Sequence, residues 1–274
     1  MGQTPEPNYY GRKLIREIKS LRRRAGLTQN EAGERAHIEL KKLSRVETVQ
    51  LPSYHELCAL LDTYGVVSTD WDPYLQLWEQ AKRPPWWRKY HLKDPRYLRM
   101  EDEALTKHEF QLGYIPDLLQ TEEYARASLT NTGVVRSEEM VDLEVTIRMR
   151  RQQRLFSEPV LTLHTLIHET ALHQGLDREQ LVQITVRAEL PNVTVRIVPN
   201  SATIHEGLRG PVVLLTFPDE PDAAFTDSTI GLLETQDPEK VTVVRRTIAT
   251  MESLAMTPAE SHAYLTRLLS QPRR

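Results

Sequence analysis

Basic and polar side chains recur at helical spacing over a short stretch near residue 40 of this 274-residue chain. They share one face of a predicted helix and its flank: Leu40, Lys41, Ser44 and Arg45, with Lys42 on the flank. Lysine and arginine can donate to O6 and N7 of guanine, and each good contact gives about 1–3 kcal/mol of base discrimination. A rigidly held helix with such a face fits the major groove of DNA, which is about 12 Å wide.

Two short helices joined by a tight turn are predicted to position this face. Residues 27–47 open with a capping box, in which the Thr28 hydroxyl can accept from the Glu31 amide and the Glu31 carboxylate can reach back. An apolar set then locks the two helices at a steep angle and leaves the polar face free. Its members are Ala32, Ala36, Ile38, Leu43 and Val46.

Further helices are predicted on both sides of this pair. Residues 12–25 form an amphipathic helix rich in lysine and arginine. After the pair, Ser53 and Glu56 form a second capping box, and the chain turns at Gly65. The helix that this box opens points its apolar side chains inward, namely Leu57, Leu60, Leu61 and Tyr64.

This arrangement resembles the XRE family of phage-repressor-like helix-turn-helix proteins. GLTQ at residues 26–29 and LSRVE at residues 43–47 match the usual pattern of that family, and the likeness covers roughly residues 11–66. The resemblance implies a five-helix domain that binds double-stranded DNA. By position, the resemblance assigns Leu40, Lys41 and Arg45 to base edges. It assigns Gln29 to a backbone phosphate, and Lys42 and Ser44 to positions nearer the DNA backbone. With the cap residue Thr28, these residues form the predicted DNA-binding set.

Two positions depart from the family pattern. His37 stands where the turn usually has glycine, so it must accept an unusual backbone angle or shift the turn. Glu39 stands where the second helix usually begins with serine or threonine. A glutamate there suits the helix dipole but caps less well, and it would face phosphate.

Charge is distributed unevenly along the chain. Residues 11–51 contain eleven lysines and arginines against five glutamates, a net charge of +6, whereas the whole chain carries −3. The other residues therefore carry −9, so phosphate is expected at one end of the protein. The arginines at residues 22–24 are the densest run. They can be a solvated helix end, a phosphate contact, or both.

Length and composition predict two domains in a reducing compartment. The single cysteine, Cys58, lies in an apolar run and is expected in the core, and one cysteine allows no disulfide framework. The absence of a signal-like segment and of any apolar run near 18 residues predicts a cytoplasmic protein without a membrane partner.

Residues 67–100 are predicted to connect the two domains. A short helical segment starts within residues 70–73 and runs to Trp78, and the prolines at residues 84–85 end it. Trp86 and Trp87 follow, among basic residues. They can stack on unpaired bases, or anchor the connector against the second domain or a partner subunit, which is the favoured interpretation.

Beyond residue 100 the pattern predicts a larger helical and mixed-sheet domain, so the chain as a whole is α+β. The predicted helices comprise most of residues 101–154, residues 177–189, and two that begin after Asp237 and Thr257. The predicted strands are residues 160–167, 193–198, 212–217 and 223–226. A helix between the first two strands implies a crossover connection.

This C-terminal domain, residues 101–274, resembles the antitoxin-like domain that follows an XRE head in many actinobacterial regulators. YIPDLLQT at residues 114–121 and LPNVTVRIVP at residues 190–199 carry the likeness, which runs loosely from about residue 86 to 269. Members usually have Pro-Gly where this chain has Pro116-Asp117. The resemblance implies transcription regulation, and a small partner protein is often encoded beside members.

One histidine cluster requires a test for catalysis. His168 and Glu169 are followed by His173 at i+5 instead of the i+4 of a zinc-protease helix, and His164 and His168 alone do not close a metal site. Neither a phosphate-binding glycine loop nor a nucleophile elbow is found. We therefore expect no enzyme, no metal and no cofactor.

Two hypotheses remain. In the first, the protein is a DNA-binding transcriptional regulator, and its C-terminal domain dimerises or binds an effector. A homodimer follows from geometry, because one recognition helix covers few base pairs and two half-sites lie about 34 Å apart. In the alternative, the C-terminal domain captures a small partner protein, and DNA binding only autoregulates the operon.

Overall fold

The computed structural model describes residues 7–130, 136–228 and 231–271. The chain forms two compact units, Met1–Lys89 and Tyr90–Arg274, which we call the first and second units. The first is helical and the second combines helices with a sheet, so the predicted α+β class is confirmed. The boundary between the two units falls within residues 67–100, the stretch predicted to connect the domains.

In its described residues, 7–89, the first unit consists of five α-helices, and side-chain caps set where three of them begin. Asn8 caps the first helix, and the predicted capping boxes at Thr28 and Ser53 are both present. The helices are α1 (Tyr9–Arg24), α2 (Gln29–Arg35), α3 (Leu40–Val46), α4 (Tyr54–Thr63) and α5 (Asp72–Ala81).

The fifth helix comes from the stretch predicted as connector. α5 packs along α1, and the Trp78 indole donates to the carbonyl of Pro52 at 2.8 Å. Trp78 joins the core that the predicted apolar set of α2 to α4 forms with Leu14 and Ile18 of α1. Cys58, expected in this core, is instead half-buried at its side.

The second unit alternates helices and strands. Its helices are α6 (Arg96–Glu103), α7 (Glu122–Thr130), α8 (Glu138–Arg151), α9 (Arg178–Arg187), α10 (Pro238–Leu254) and α11 (Pro258–Ser270). Its strands are β1 (Thr106–Gln111), β2 (Thr162–His168), β3 (Val193–Val198), β4 (Val212–Thr216), β5 (Ala223–Ser228) and β6 (Gly231–Thr235).

All six strands join one mixed sheet in the order β3-β2-β1-β4-β5-β6. β1, β2 and β3 are parallel, so each connection crosses over through helices: α7 and α8 between β1 and β2, and α9 between β2 and β3. β4, β5 and β6 continue antiparallel beside β1. The predicted crossover and mixed sheet are thus confirmed.

The sequence analysis was wrong about β1 and did not find β6. Residues 106–111 were assigned to helical sequence, yet β1 pairs on both sides at the centre of the sheet. Its sequence, TKHEFQ, lacks the apolar alternation of a buried strand because Lys107 and Glu109 fill positions that face the core. Short β6 carries no such alternation either.

A buried ionic network stabilises that polar strand. The Lys107 ammonium lies 2.9 Å from the carboxylate of Glu101 and 3.1 Å from that of Glu109. The Arg151 guanidinium donates to both carboxylate oxygens of Glu101, at 2.7 and 2.8 Å. Burial alone would raise the pKa of Glu101, but Arg151 and Lys107 hold it well below its usual value. The network therefore keeps charged side chains of β1 paired inside the unit.

Candidate nucleic-acid interface

The turn between α2 and α3 takes the first of the two forms that the sequence left open, an unusual backbone angle at His37. His37 adopts a φ of +53°, a left-handed conformation that residues other than glycine rarely occupy. The Ile38 amide then donates to the carbonyl of Gly33 at 2.8 Å. Gly33 is required there, since a Cβ at that position would stand 2.6 Å from the Ile38 oxygen.

Helix α3 is held by its apolar side and exposes its opposite side. Leu43 and Val46 are fully buried, whereas Leu40 is 48% exposed. Lys41 and Arg45 are exposed, and Ser44 is half-buried between them. The predicted face therefore exists as one surface, with a leucine and two cations on the side away from the core.

The start of α3 is capped weakly, as the departure at Glu39 predicted. Its side chain makes no cap hydrogen bond with the described part of the helix, although its backbone carbonyl accepts from the amides of Lys42 and Leu43 at 2.9 Å. Lys42 forms an ion pair with Glu56 of α4. Lys42 is thus tied to its own fold, and it keeps partial exposure on the flank of the face.

The two predicted contacts at the start of α2 are both used within the domain. The Thr28 hydroxyl accepts from the Glu31 amide and donates to the Glu31 carboxylate at 2.7 Å. The Gln29 amide nitrogen donates to Glu47 at 2.8 Å. An amide nitrogen has two protons, so this bond leaves one of them for a phosphate.

Glu47 is the residue whose role the sequence analysis missed. It is 3% exposed, directly follows α3, and receives Arg22 of α1 through two hydrogen bonds of 2.6 and 2.9 Å. Burial would raise the pKa of Glu47, but bonds from Arg22 and Gln29 hold it below its ordinary value. Through these hydrogen bonds, the Glu47 carboxylate links Arg22 of α1 and Gln29 of α2 to the end of α3. A glutamate spaced one turn from Leu43, with a basic helix upstream, was the available signal.

The run of arginines at the end of α1 is therefore divided in function. Arg22 turns inward to Glu47 and the carbonyl of Leu27, which favours an internal ion pair over the alternative of a phosphate contact for this residue. Arg23 and Arg24 are exposed in the last turn of the helix. These two, with Lys41 and Arg45, supply exposed positive charge to the first unit.

Known families match both parts of the chain. Residues 95–267, more than half of the chain, match a domain of unknown function, DUF5753. The chain belongs to the DUF5753 family. Residues 14–70, which contain α2 and α3, match a helix-turn-helix domain. No match was found among curated proteins or among solved structures.

The histidines that the sequence analysis considered make separate contacts in the DUF5753 domain. His164 stacks on His108 with ring centroids 4.8 Å apart, while His168 Nδ1 lies 3.0 Å from the Thr170 hydroxyl and His173 Nε2 lies 3.2 Å from the Tyr264 hydroxyl. Within the described ranges, no three metal-ligating side chains come close enough to hold an ion.

The two adjacent tryptophans of the predicted connector pack against each other. Trp87 is buried, so it offers little ring surface to a base, and it meets Trp86 edge to face with centroids 5.5 Å apart. The alternative of stacking on unpaired bases is therefore not favoured.

In the described ranges, every helix is too short or too polar to cross a bilayer.

Proposed function

We propose that this protein is a sequence-specific, DNA-binding transcriptional regulator of the XRE type that reads an operator through α3. The exposed face of α3 carries the proposal. Leu43 and Val46 anchor the helix, and Lys41 and Arg45 point from its other side. The match to a helix-turn-helix domain supports the same function. Such a protein acts where the chromosome is, so we propose a cytoplasmic location.

The regulator is proposed to bind as a homodimer. A seven-residue α3 spans few base pairs, so a specific site needs a second recognition helix about 34 Å away, one turn of DNA along. The C-terminal domain supplies dimerisation, effector or partner binding, without catalysis. A monomer bound to a single half-site, seen by gel shift and sizing, would remove the dimer from the proposal.

Genome-wide occupancy in the organism that encodes the chain tests the function. The wild type is compared with Lys41→Ala/Arg45→Ala, and with Lys240→Ala/Arg246→Ala as a control that removes the same charge from exposed positions on α10. We expect sharp peaks that share an inverted repeat, retained in the control and lost in the α3 variant. Diffuse occupancy in the wild type, or peaks that survive in the α3 variant, would refute operator reading by α3.

A second candidate function is capture of a small partner protein, with DNA binding serving autoregulation. The resemblance to antitoxin-like actinobacterial domains motivates it, and so does an exposed groove on the second unit, lined by Val182, Val186 and Phe156. Copurification of the tagged full chain tests this candidate. A stoichiometric small protein is expected, and its absence counts against capture without affecting the proposal for α3.

A further inference from the structure

A groove of about 780 Å³ lies on the second unit, between α9, the start of α7 and the end of α8. We call it the α9 groove. Val182 and Val186 stand one turn apart on α9 and are 41% and 56% exposed, and Phe156 in the same lining is 49% exposed. Isolated exposed apolar residues are common on proteins, but several around one groove mark a contact surface.

The base of the α9 groove is fixed by glutamine side chains. Gln152 donates to the carbonyl of Gln120 at 2.8 Å, and Gln183 donates to the same carbonyl. Gln180 donates to the carbonyl of Leu119 at 2.7 Å and accepts from the amide of Thr121 at 2.8 Å. These bonds join α7, α8 and α9, so the groove is formed in advance and its occupant need not order it.

Charge differs between the two ends of the α9 groove. Glu179 lies in the first turn of α9, and Glu122 and Glu123 lie in the first turn of α7, whose start is bonded to Gln180. Arg178 also lines the groove beside Glu179, where its guanidinium donates to the carbonyl of Leu269 at 2.7 Å, and the three glutamates outnumber it at this end. Arg187 lies in the last turn of α9, eight residues or about 12 Å along the helix from Glu179. The groove thus has an acidic end, an apolar centre and a basic end.

Arg187 carries a charge that the second unit itself does not neutralise. Its guanidinium lies over the Phe156 ring, 4.3 Å from the centroid, and no carboxylate of the described ranges forms an ion pair with it. Burial lowers the pKa of Arg187. A half-buried guanidinium stacked on a ring and lacking an anion is suited to accept a carboxylate from a bound partner.

We propose that the α9 groove binds an amphipathic helix of a small partner protein, placing its apolar residues on Val182, Val186 and Phe156 and a carboxylate on Arg187. Basic residues near the other end of that helix meet Glu122, Glu123 and Glu179. The inference rests on the second candidate function and names its site and the chemistry of its partner.

The charges also set the direction of the bound helix. A helix is stabilised by acidic residues in its first turn and basic residues in its last turn. Its acidic first turn therefore lies at Arg187, the end of α9, and its basic last turn lies at Glu179, the start of α9. The partner helix runs antiparallel to α9, with apolar side chains at i and i+4 facing Val182 and Val186.

Photo-cross-linking of the full chain in the organism that encodes it tests the site. Benzoylphenylalanine is placed at Val186, and in a control at Val243, which is 61% exposed on α10 and outside the groove lining. We expect the Val186 site alone to link one small protein, through a peptide with the acidic, apolar and basic order given above. Arg187→Glu should reduce that product at least tenfold, whereas Arg246→Glu, exposed on α10, should leave it unchanged.

The outcomes separate the inference from the function on which it rests. Copurification of a stoichiometric partner without a cross-link at Val186 would overturn the groove and leave partner capture standing. Cross-linking of Val186 to a second copy of the chain, to the chain itself, or to a peptide without that charge order would also overturn the inference. Absence of both partner and cross-link would remove the groove and partner capture together.

Discussion

Replacing Arg22 with methionine is expected to destabilise the first unit by about 3 kcal/mol. The Arg22 guanidinium holds both oxygens of Glu47 at 2.6 and 2.9 Å, and methionine leaves that 3%-exposed carboxylate with the Gln29 bond. Removing one partner of a buried ion pair costs about 3–5 kcal/mol. The side chain of Arg22 keeps 11% exposure, so we expect the lower end of that range.

Tryptophan fluorescence during urea unfolding isolates this effect, because all four tryptophans lie within residues 71–87 and hence in the first unit. Arg23→Met is the matched control at an exposed neighbour and should change stability by less than about 0.5 kcal/mol. Arg22→Met/Glu47→Leu should recover most of the loss, since an apolar pair can replace a buried ion pair at little net cost.

The same variants distinguish an internal ion pair from a phosphate contact. Loss of one phosphate contact reduces the slope of log affinity against log salt by about one. We expect that reduction for Arg23→Met, which unfolds normally, and no reduction for Arg22→Met, assayed under conditions where it is folded. The reasoning is refuted if Arg22→Met unfolds like the wild type and loses one unit of salt slope.

Three further outcomes are expected. Arg45→Ala should weaken binding to the operator far more than binding to random DNA in gel shifts, and equal losses would reject base reading. Gly33→Ala should lower the free energy of unfolding by about 1–3 kcal/mol in the same fluorescence assay, because the alanine Cβ would stand 2.6 Å from the backbone oxygen of Ile38. Unchanged stability would contradict this close approach. Burial, with His164 nearby, lowers the pKa of His108 from 6.5 to about 4, so the unfolded state binds its proton first as pH falls. The free energy of unfolding should therefore decline from about pH 6.5 towards pH 4, and by about 1 kcal/mol at pH 5 once the partial exposure of His108 is allowed for. Circular dichroism during urea unfolding should show a flatter decline for His108→Gln than for the wild type. An equal decline in both would exclude His108 as the source.

The helical hairpin at residues 27–47 could be predicted because its determinants are local. The Thr28 capping box, the helical spacing of Ala32 and Ala36, and the strain at His37 each involve residues a few positions apart. Such interactions are visible in a linear sequence. The inward turn of Arg22 depends on Glu47, which is 25 residues away, so the sequence offered only an indirect signal for it, a glutamate one turn after Leu43 and a basic helix upstream.

The errors in the second unit have the same origin. Strand β1 is stabilised by contacts between distant residues: Lys107 meets Glu101, which is held by Arg151 fifty positions along the chain. Hydrophobic periodicity cannot identify a strand whose inward positions are charged. In the first unit, α5 packs against α1, about 60 residues earlier, and the sequence of residues 72–81 does not reveal that contact either.

The polar character of β1 has a consequence during synthesis. β1 leaves the ribosome about 100 residues before β4, its antiparallel neighbour, so at 5–20 residues per second it waits roughly 5–20 s for that partner. An apolar central strand exposed for so long is prone to pair with other nascent chains. TKHEFQ, with Lys107 and Glu109 at the positions that later become buried, resists such pairing until β2 and β4 enclose it.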